Sequence, residues 1–213
     1  VTYEDCGLRT GATRGDGLKG EDVTQNLRAI QSLPLVVQRD LAPGRFEVRG
    51  EVYVPRSGFQ RMNQERAEQG LPLFANPRNA AAGALRQLDP RVSASRPLDI
   101  FIYALGWADG PMPRDHWSAL QLLTALGFKT NPNNRLCQTL EEVQDYYRSW
   151  HENRERLDYG ADGVVVKINP FELQQRLGDV GREPRWAIAY KFPATQSVTR
   201  LLDIGINVGR TGS

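Results

Sequence analysis

Two short apolar runs near the end of the chain constrain its fold most, because each of them carries one lysine. The runs are 162–168 (Asp-Gly-Val-Val-Val-Lys-Ile) and 186–192 (Trp-Ala-Ile-Ala-Tyr-Lys-Phe), and their β-branched and aromatic residues predict β-strands. Lys167 and Lys191 are half of the four lysines in the chain. Burying an ammonium group is costly unless an anion pairs with it. Two such lysines therefore indicate a site for a phosphorylated ligand.

Strand geometry refines this prediction, since successive side chains point to opposite faces of a sheet. Lys191 then shares its face with Ala187 and Ala189, whose small side chains leave room for a ligand. In the first run, Val165 stands on the same face as Lys167. The alternative is that both lysines lie on edge strands and point into water, where they discourage aggregation. The two runs alone leave both interpretations open.

Length and composition narrow the class of protein. The 213 residues, 40% hydrophobic and 24% charged, fit one large soluble domain or two small ones. Apolar stretches are short and no basic segment precedes a hydrophobic one at the start, which predicts no membrane span, no signal peptide and a cytoplasmic location. Cys6 and Cys137, like His116 and His151, are isolated, so neither a disulfide framework nor a zinc site is expected. A net charge of +2, with the basic charge carried mostly by arginine, permits nucleotide or nucleic-acid binding without requiring it.

The periodicity of apolar residues predicts a mixture of strands and helices with no internal repeat. Ser57 is the predicted N-cap of a helix that Gly70 ends, and Asn76 with Pro77 starts an alanine-rich helix that finishes before Pro90. The other predicted elements are strands at 8–13, 46–54 and 100–105, a helix through Val23, Leu27 and Ile30, a helix with Leu120, Leu123 and Leu126, and a helix capped at Thr139.

Two of these helices present side chains of particular interest. Arg78 and Arg86 are offset by about 80° around a helix of 3.6 residues per turn, so they share one broad side. Either they face a partner, which the intervening alanines would allow to approach closely, or they lie in solvent. In the helix capped at Thr139, Glu142 completes a capping box. We interpret four residues of that helix as core rather than as a stacking platform: Leu140, Val143, Tyr147 and Trp150.

Several polar residues set in ordered contexts together suit nucleotide chemistry. They are Arg14 after a turn, Glu51 on a strand, Arg78 and Arg86 on a helix, and Asp162, Lys167 and Lys191 on strands. Carboxylates accept hydrogen bonds from ribose hydroxyls, lysines stabilise the charge on an α-phosphate, and arginines hold further phosphates. Neither a Walker-type Gly-x-x-x-x-Gly-Lys-Ser/Thr nor a Gly-x-Gly-x-x-Gly after a strand is present, which disfavours the common nucleotide folds.

A series of motifs runs through the chain in a fixed order. They are Ala-Thr-Arg-Gly-Asp-Gly (12–17), Glu-Val-Arg-Gly-Glu-Val (47–52), Phe-Ala-Asn-Pro-Arg-Asn-Ala-Ala-Ala-Gly (74–83), Leu-Arg-Gln-Leu-Asp-Pro (85–90), Asp-Gly-Val-Val-Val-Lys (162–167), Trp-Ala-Ile-Ala-Tyr-Lys-Phe-Pro-Ala (186–194) and Val-Gly-Arg-Thr-Gly (208–212). In this order they closely resemble the adenylation domain of bacterial NAD-dependent DNA ligases, nearly end to end.

The resemblance implies an α+β nucleotidyltransferase fold, ATP-grasp-like, with two packed, mostly antiparallel β-sheets flanked by helices and adenylate in the cleft between them. Residues 1–200 would form this domain, and 201–213 would begin the connection to an OB-fold domain. The implied enzyme is monomeric, uses NAD and Mg²⁺, and seals nicks in double-stranded DNA during replication and repair. In the family a lysine attacks the α-phosphate of NAD, nicotinamide mononucleotide leaves, and the adenylate passes to the 5′-phosphate of the nick before the 3′-hydroxyl closes it.

The matching motifs also imply roles for single residues. By resemblance, Glu51 would contact the ribose, Lys167 and Lys191 the α-phosphate and its transition state, and Arg14 the nucleotide. Asp162 matches a family carboxylate near the metal and the phosphate, although no set of protein metal ligands is implied for this chain.

Three arginines match positions that act further from the adenylate. Arg78 and Arg86 match positions used for contacts with the DNA 5′-phosphate or the nicotinamide side of NAD, and Arg154 aligns with a further functional arginine. The family's zinc belongs to a downstream domain, which this sequence does not include.

The sequence departs from the family at the nucleophile. In the family this lysine lies in a Lys-x-Asp-Gly motif just before the strand with which this chain begins, and no such motif occurs in the 213 residues. We therefore predict that the chain alone does not form the covalent adenylate. Two alternatives remain: a non-catalytic nucleotide- or DNA-binding relic of the superfamily, and a relative of ATP-dependent ligases or RNA-capping enzymes.

Overall fold

The apolar periodicities are realised as strands and helices in a computed structural model, which describes residues 1–17, 19–181, 183–194 and 198–204. The strands are β1 (Thr2–Glu4), β2 (Gly7–Thr10), β3 (Arg45–Tyr53), β4 (Asp99–Ala108), β5 (Gly163–Lys167), β6 (Asp179–Val180), β7 (Glu183–Pro184) and β8 (Ala187–Lys191). The helices are α1 (Thr24–Arg28), α2 (Arg56–Glu68), α3 (Pro77–Leu85), α4 (Pro90–Ala94), α5 (His116–Ala125), α6 (Leu140–Asn153) and α7 (Phe171–Leu177), with a 3₁₀ helix at Arg154–Arg156. The motif at 208–212 lies outside the described residues.

Antiparallel pairing accounts for all the sheets in the described part of the chain. Four strands form one sheet in the order β2-β1-β3-β4, and β5-β8 and β6-β7 form two separate pairs. The longest pairing joins β3 to β4, from Phe46 opposite Ala108 to Tyr53 opposite Asp99. The predicted α+β class, with antiparallel sheets accompanied by helices, is confirmed.

The main core lies on one face of the four-stranded sheet. The rings of Tyr3, Phe46 and Phe128 contact one another with centroids 5.1 to 6.3 Å apart. The same buried cluster includes residues of α1 and α5, and burial of each large apolar side chain contributes about 1.5–3 kcal/mol. The predicted core residues of these two helical regions are all buried: Val23, Leu27, Ile30, Leu120, Leu123 and Leu126.

The opposite face of β3 and β4 is polar and aromatic. Glu51 of β3 stands opposite Phe101 of β4 and is exposed. Two residues further along β4, Tyr103 is 44% exposed, and its ring lies 5.1 Å from the ammonium nitrogen of Lys167 on β5. The β5–β8 pair therefore meets this face of the large sheet where Lys167 contacts Tyr103, and we call the space beside this contact the cleft.

The start of α2 differs from the prediction. The helix begins at Arg56 with Pro55 as N-cap, so Ser57 is not the cap residue. Instead, Asp158 accepts hydrogen bonds from the Ser57 backbone N–H at 2.9 Å and from its hydroxyl at 2.8 Å. The capping carboxylate thus comes from a distant segment. Gly70 follows the end of the helix with a φ of +65°, as a stop signal requires.

The predicted caps of α3 and α6 are confirmed. Asn76 accepts from the N–H of Asn79 at 2.8 Å, with Pro77 in the first turn. Thr139 accepts from the N–H of Glu142 at 3.3 Å. The second half of the capping box is displaced by one residue, because the Glu142 carboxylate accepts from the N–H of Gln138 rather than from Thr139.

The prediction that α6 packs as an ordinary core helix is wrong. None of its residues is fully buried, and Leu140 is 74% exposed. The helix packs through an aromatic ring instead, since Tyr147 stacks on Tyr190 of β8 with centroids 3.8 Å apart.

Among the described residues, no helix is both long and apolar enough to span a bilayer.

Candidate active site

Lys167 and Lys191 lie on the same face of the β5–β8 pair. In this antiparallel register Gly163 is opposite Lys191, and Lys167 is opposite Ala187. Since directly opposed residues point to the same side of a sheet, the two lysines occupy the two ends of one face. The other face, which carries Tyr190, packs on α6. Pairing of the two runs therefore directs both lysines away from α6 and into the cleft.

Lys191 forms an exposed ion pair with Asp162. Its ammonium nitrogen lies 2.8 Å from the Asp162 carboxylate, and the two side chains are 61% and 80% exposed. The hydrogen bond from Lys191 lowers the pKa of Asp162, and the nearby charge of Arg78 lowers it further. Such exposed pairs contribute only about 0–1 kcal/mol to stability. An incoming phosphate can therefore replace Asp162 as the partner of Lys191 at little energetic cost.

Lys167 has a different environment. It is half-buried, and burial lowers its pKa. Its ammonium nitrogen lies 3.3 Å from Nε2 of His116 and 5.1 Å from the centre of the Tyr103 ring. Among the described residues no carboxylate lies within ion-pair distance of it. An anion entering the cleft would supply the charge partner that Lys167 lacks.

Tyr103 connects Lys167 to two further predicted site residues. Burial raises the pKa of Tyr103, and the negative charge of Glu51 raises it further, while the charges of Arg49 and Arg14 oppose the shift. Glu51 and Arg14 are thus close enough to act electrostatically on the hydroxyl of Tyr103. Lys167 therefore contacts the half-exposed ring of Tyr103, and the charges of Glu51 and Arg14 act on the same side chain.

Arg86 is held at the C-terminal end of α3 by a buried polar network. Its guanidinium lies 2.9 Å from Glu21. Beside it, Asn26 donates to the Gln87 carbonyl at 2.8 Å and to the Ser93 hydroxyl at 2.7 Å. Ser93 in turn donates to the carbonyl of Ala84 at 2.7 Å, and both Asn26 and Ser93 are buried. This network joins α1, α3 and α4 and fixes the helix end that carries Arg86.

The structure does not bring Arg154 into the cleft. Its guanidinium lies 5.7 Å from the ring of Phe192, which together with Tyr190 contacts Tyr147 of α6. Arg154 is therefore on the α6 side of the β5–β8 pair, opposite the face of Lys191.

The remaining two lysines lie elsewhere. Lys129 forms an ion pair with Asp99, which also accepts a hydrogen bond from Tyr53 at 2.8 Å. Lys19 is exposed in the turn near residue 16, where its backbone N–H bonds the Asp16 carboxylate at 2.8 Å. Neither lysine shares the face of Lys167 and Lys191.

Sequence reasoning missed two residues of the cleft, Tyr103 and His116. The alternation of apolar residues in strand 100–105 contained a signal for Tyr103, because it places that ring on the face opposite buried Ile100 and Ile102. His116 carried no spacing signal, since only tertiary packing brings it to Lys167.

The cleft, in which Lys167 lacks a carboxylate partner among the described residues, belongs to an α+β domain and is suited to an anionic ligand. A model of the NAD-dependent DNA ligase adenylation domain matches residues 1–195, and the chain belongs to that family. Over its whole length it is 62% identical to a DNA ligase of Dehalococcoides mccartyi and 53% identical to one of Thermotoga neapolitana, and it covers 32% and 30% of those proteins. It is 51% identical over 210 residues to a DNA ligase of Bacillus cytotoxicus, where 99% of the chain covers 31% of that protein. The chain thus spans about a third of the length of these relatives.

Proposed function

We propose that the chain is the nucleotide-binding part of an NAD-dependent DNA ligase that seals nicks in double-stranded DNA in replication and repair, through enzyme-adenylate and DNA-adenylate intermediates. The observation that carries this proposal is the pairing of β5 with β8. It sets Lys167, which has no carboxylate partner in the described chain, and Lys191, whose partner is exposed, on one face of the cleft. We further propose that residues 1–200 form a nucleotidyltransferase domain and that 201–213 begin the connection to an OB-fold domain.

Within the cleft, each side chain has a proposed role in binding NAD. Tyr103 offers a flat surface for the base, and the Glu51 carboxylate accepts hydrogen bonds from the ribose hydroxyls. Lys167 and Lys191 hold the α-phosphate and stabilise the charge that grows on it during transfer. Arg14, the first residue of the turn at 14–17, binds the nucleotide.

The nucleophile is proposed to come from a Lys-x-Asp-Gly motif that the 213 residues do not contain. Lys167 and Lys191 are engaged at other positions of the cleft, Lys19 lies in an exposed turn, and Lys129 is held in an ion pair with Asp99. We therefore expect the chain alone to bind nucleotide without forming a covalent adenylate on any of its lysines.

The cleft offers few protein ligands for Mg²⁺. No group of three His, Cys, Asp or Glu side chains that could hold a metal is found in the described part of the chain. Magnesium in phosphoryl-transfer sites is commonly held by one or two carboxylates together with substrate phosphates. Asp162, exposed beside Lys191, is the carboxylate placed for such shared binding, and the ion would neutralise phosphate charge there.

The DNA strand is proposed to meet the chain through α3. Arg78 and Arg86 are both exposed on this helix or at its end, and Arg78 is close enough to lower the pKa of Asp162. Their proposed targets are the 5′-phosphate of the nick or the nicotinamide side of NAD. Arg154 lies on the other side of β8, and its functional contact stays a prediction. We expect a monomeric, cytoplasmic enzyme whose DNA affinity falls steeply with salt.

The test is the intact mass of an N-terminally extended protein that includes the Lys-x-Asp-Gly motif and the region before it. After incubation with Mg²⁺ and NAD, we expect a gain of one adenylate, and with ATP no gain. A gain with ATP alone would assign the chain to the ATP-dependent relatives. No gain with either nucleotide would favour the non-catalytic relic. The 213-residue chain is the matched control, and an adduct on it would overturn the assignment of the nucleophile.

A further inference from the structure

His116 makes the closest polar contact that Lys167 has in the described chain. Its Nε2 lies 3.3 Å from the ammonium nitrogen. We propose that His116 is the positioning residue of Lys167, with a neutral imidazole that accepts a hydrogen bond through Nε2 and holds the ammonium group over Tyr103. The proposal rests on the function proposed above, because it concerns how the cleft presents Lys167 to a nucleotide.

The position of His116 is fixed by contacts with the segment that follows β5. Its backbone N–H donates to the carbonyl of Asn169 at 2.9 Å, and the N–H of Trp117 donates to the Asn169 side chain at 2.8 Å. A further backbone bond runs from Phe171 to the carbonyl of Arg114 at 3.1 Å. Asn169 is two residues from Lys167 along the chain. The start of α5 and the end of β5 are therefore joined at several points, so imidazole and ammonium are held at a set separation.

The imidazole is in the form that accepts a hydrogen bond. Burial and the charge of Lys167 lower the pKa of His116 to about 4, against a smaller opposing effect of Asp115. The other groups around the imidazole and ammonium are Tyr103 of β4 and the edge-on ring of Phe171 of α7, neither of them anionic. At neutral pH the ring therefore carries one proton. Donation from Lys167 to Nε2 places that proton on Nδ1.

A fixed acceptor matters because lysine is a flexible side chain with three equivalent donors. One N–H of Lys167 directed at His116 sets the orientation of the other two, which then point to the cleft. Without this contact the half-buried ammonium would sample several rotamers, and ordering it in the transition state of transfer would cost entropy. The contact with His116 therefore orients the Lys167 ammonium group before the nucleotide binds.

The kinetic test uses the N-terminally extended protein and three substitutions at one position. In His116→Gln the amide oxygen can occupy nearly the place of Nε2, whereas in His116→Asn it is too short to reach, and His116→Ala has no acceptor. We expect the maximal rate constant of self-adenylation to fall about tenfold in the Ala and Asn variants, the scale of one hydrogen bond to a charged group. The NAD concentration that gives half the maximal rate should change by less than about twofold, because Lys167 keeps its charge in every variant and loses only its orientation toward the transferring phosphate. His116→Gln should recover most of the rate.

The matched control is His151→Gln, which changes the chain's other histidine, an exposed residue outside the cleft. It should leave the rate unchanged. Equal rates in His116→Ala and the unsubstituted protein would overturn the proposal. So would an equal loss in the Ala, Asn and Gln variants with unchanged melting temperatures, because that pattern reports packing rather than hydrogen bonding.

A second readout does not depend on ligase activity. The 213-residue chain has two histidines, so a long-range ¹H–¹⁵N spectrum contains two imidazole patterns, and His151→Gln assigns them. We expect His116 to be protonated on Nδ1 with an unprotonated Nε2 at pH 7. A proton on Nε2 would overturn the proposal, even if NAD-dependent adenylation is observed. If adenylation fails but this tautomer is found, the contact stands and the proposed function is the part that fails.

Discussion

Gly163 offers the sharpest test of how the β5–β8 pair builds the cleft. A Cβ at this position would lie 2.5 Å from the carbonyl oxygen of Tyr190 and 2.8 Å from Cα of Lys191. Ordinary contacts begin at 3.4 Å, so Gly163→Ala requires the two strands to separate by about 0.9 Å. Both obstructing atoms are backbone, which cannot rotate away. The substitution should therefore move Lys191 and the neighbouring Asp162 relative to the rest of the cleft.

The expected cost follows from the same geometry. Forcing an extra methyl into a packed site destabilises a protein by about 1–3 kcal/mol. Replacing glycine by alanine also reduces the entropy of the unfolded chain, which offsets the cost by about 0.4–1 kcal/mol. A net loss of about 1–2 kcal/mol should appear in urea unfolding. Self-adenylation should fall more, by up to about 100-fold, because a shift near 1 Å in a catalytic group can have that effect.

The assay compares Gly163→Ala with Gly160→Ala in the N-terminally extended protein. Gly160 is three residues earlier and has no atom within 4 Å of its built Cβ, so alanine there should be neutral or slightly stabilising. Each variant is measured by urea midpoint and by the rate of adenylate formation with NAD. The reasoning is refuted if the two variants have the same stability and the same rate.

Other parts of the structure give further predictions. Ser93→Ala removes the hydroxyl that donates to the buried Ala84 carbonyl and accepts one of the two hydrogen bonds from the Asn26 amide, so it should lower the free energy of unfolding by about 1–3 kcal/mol in urea titrations. Ser95→Ala, exposed and bonded only locally, should change it little. Burial opposes ionisation of Asp99, but three side-chain hydrogen bonds outweigh the effect of burial and lower the pKa of Asp99. The Asp99 carboxylate therefore stabilises the fold above its unfolded pKa of about 3.9, and this stabilisation is lost as pH falls. Asp99→Asn should flatten the decline of urea midpoints between about pH 5 and pH 3. Lys191→Ala should reduce the adenylation rate about 100-fold or more, while Lys129→Ala, which breaks the ion pair with Asp99, should leave that rate unchanged.

Helix boundaries show which structural features the sequence could predict. The caps at Asn76 and Thr139 were recognisable because a side chain bonds a backbone group three residues away. At α2 the same reasoning failed, since the carboxylate that caps the helix belongs to Asp158, 101 residues from Ser57. Local capping chemistry is readable from a single sequence, and capping by a distant segment is not.

In the candidate site, too, local features were predictable from the sequence and tertiary ones were not. Alternation along β8 was sufficient to place Lys191 on a face with small residues, but the shared face of Lys167 and Lys191 depends on the register of two strands that are about twenty residues apart. The exposure of the two lysines was not predictable either, because it depends on which residues of other elements lie at each end of the β5–β8 pair. Tyr103 and His116 cover Lys167, whereas in the described part of the chain the charge partner of Lys191 is the exposed Asp162.

This difference in surroundings gives the two lysines different parts in binding an anionic ligand. Lys191 already has a charge partner, so a phosphate must displace Asp162, and the exposed pair makes that exchange nearly neutral in free energy. Lys167 bears an uncompensated burial cost, which lowers its pKa and which an incoming phosphate would relieve. The gain in electrostatic free energy on binding is therefore concentrated at Lys167, while Lys191 remains free to follow the phosphate as its charge changes. Lys167 as the anchor and Lys191 as the adjustable contact, placed on one face by the β5–β8 pairing, suit the function proposed for the cleft, in which it holds the same phosphate before and after transfer.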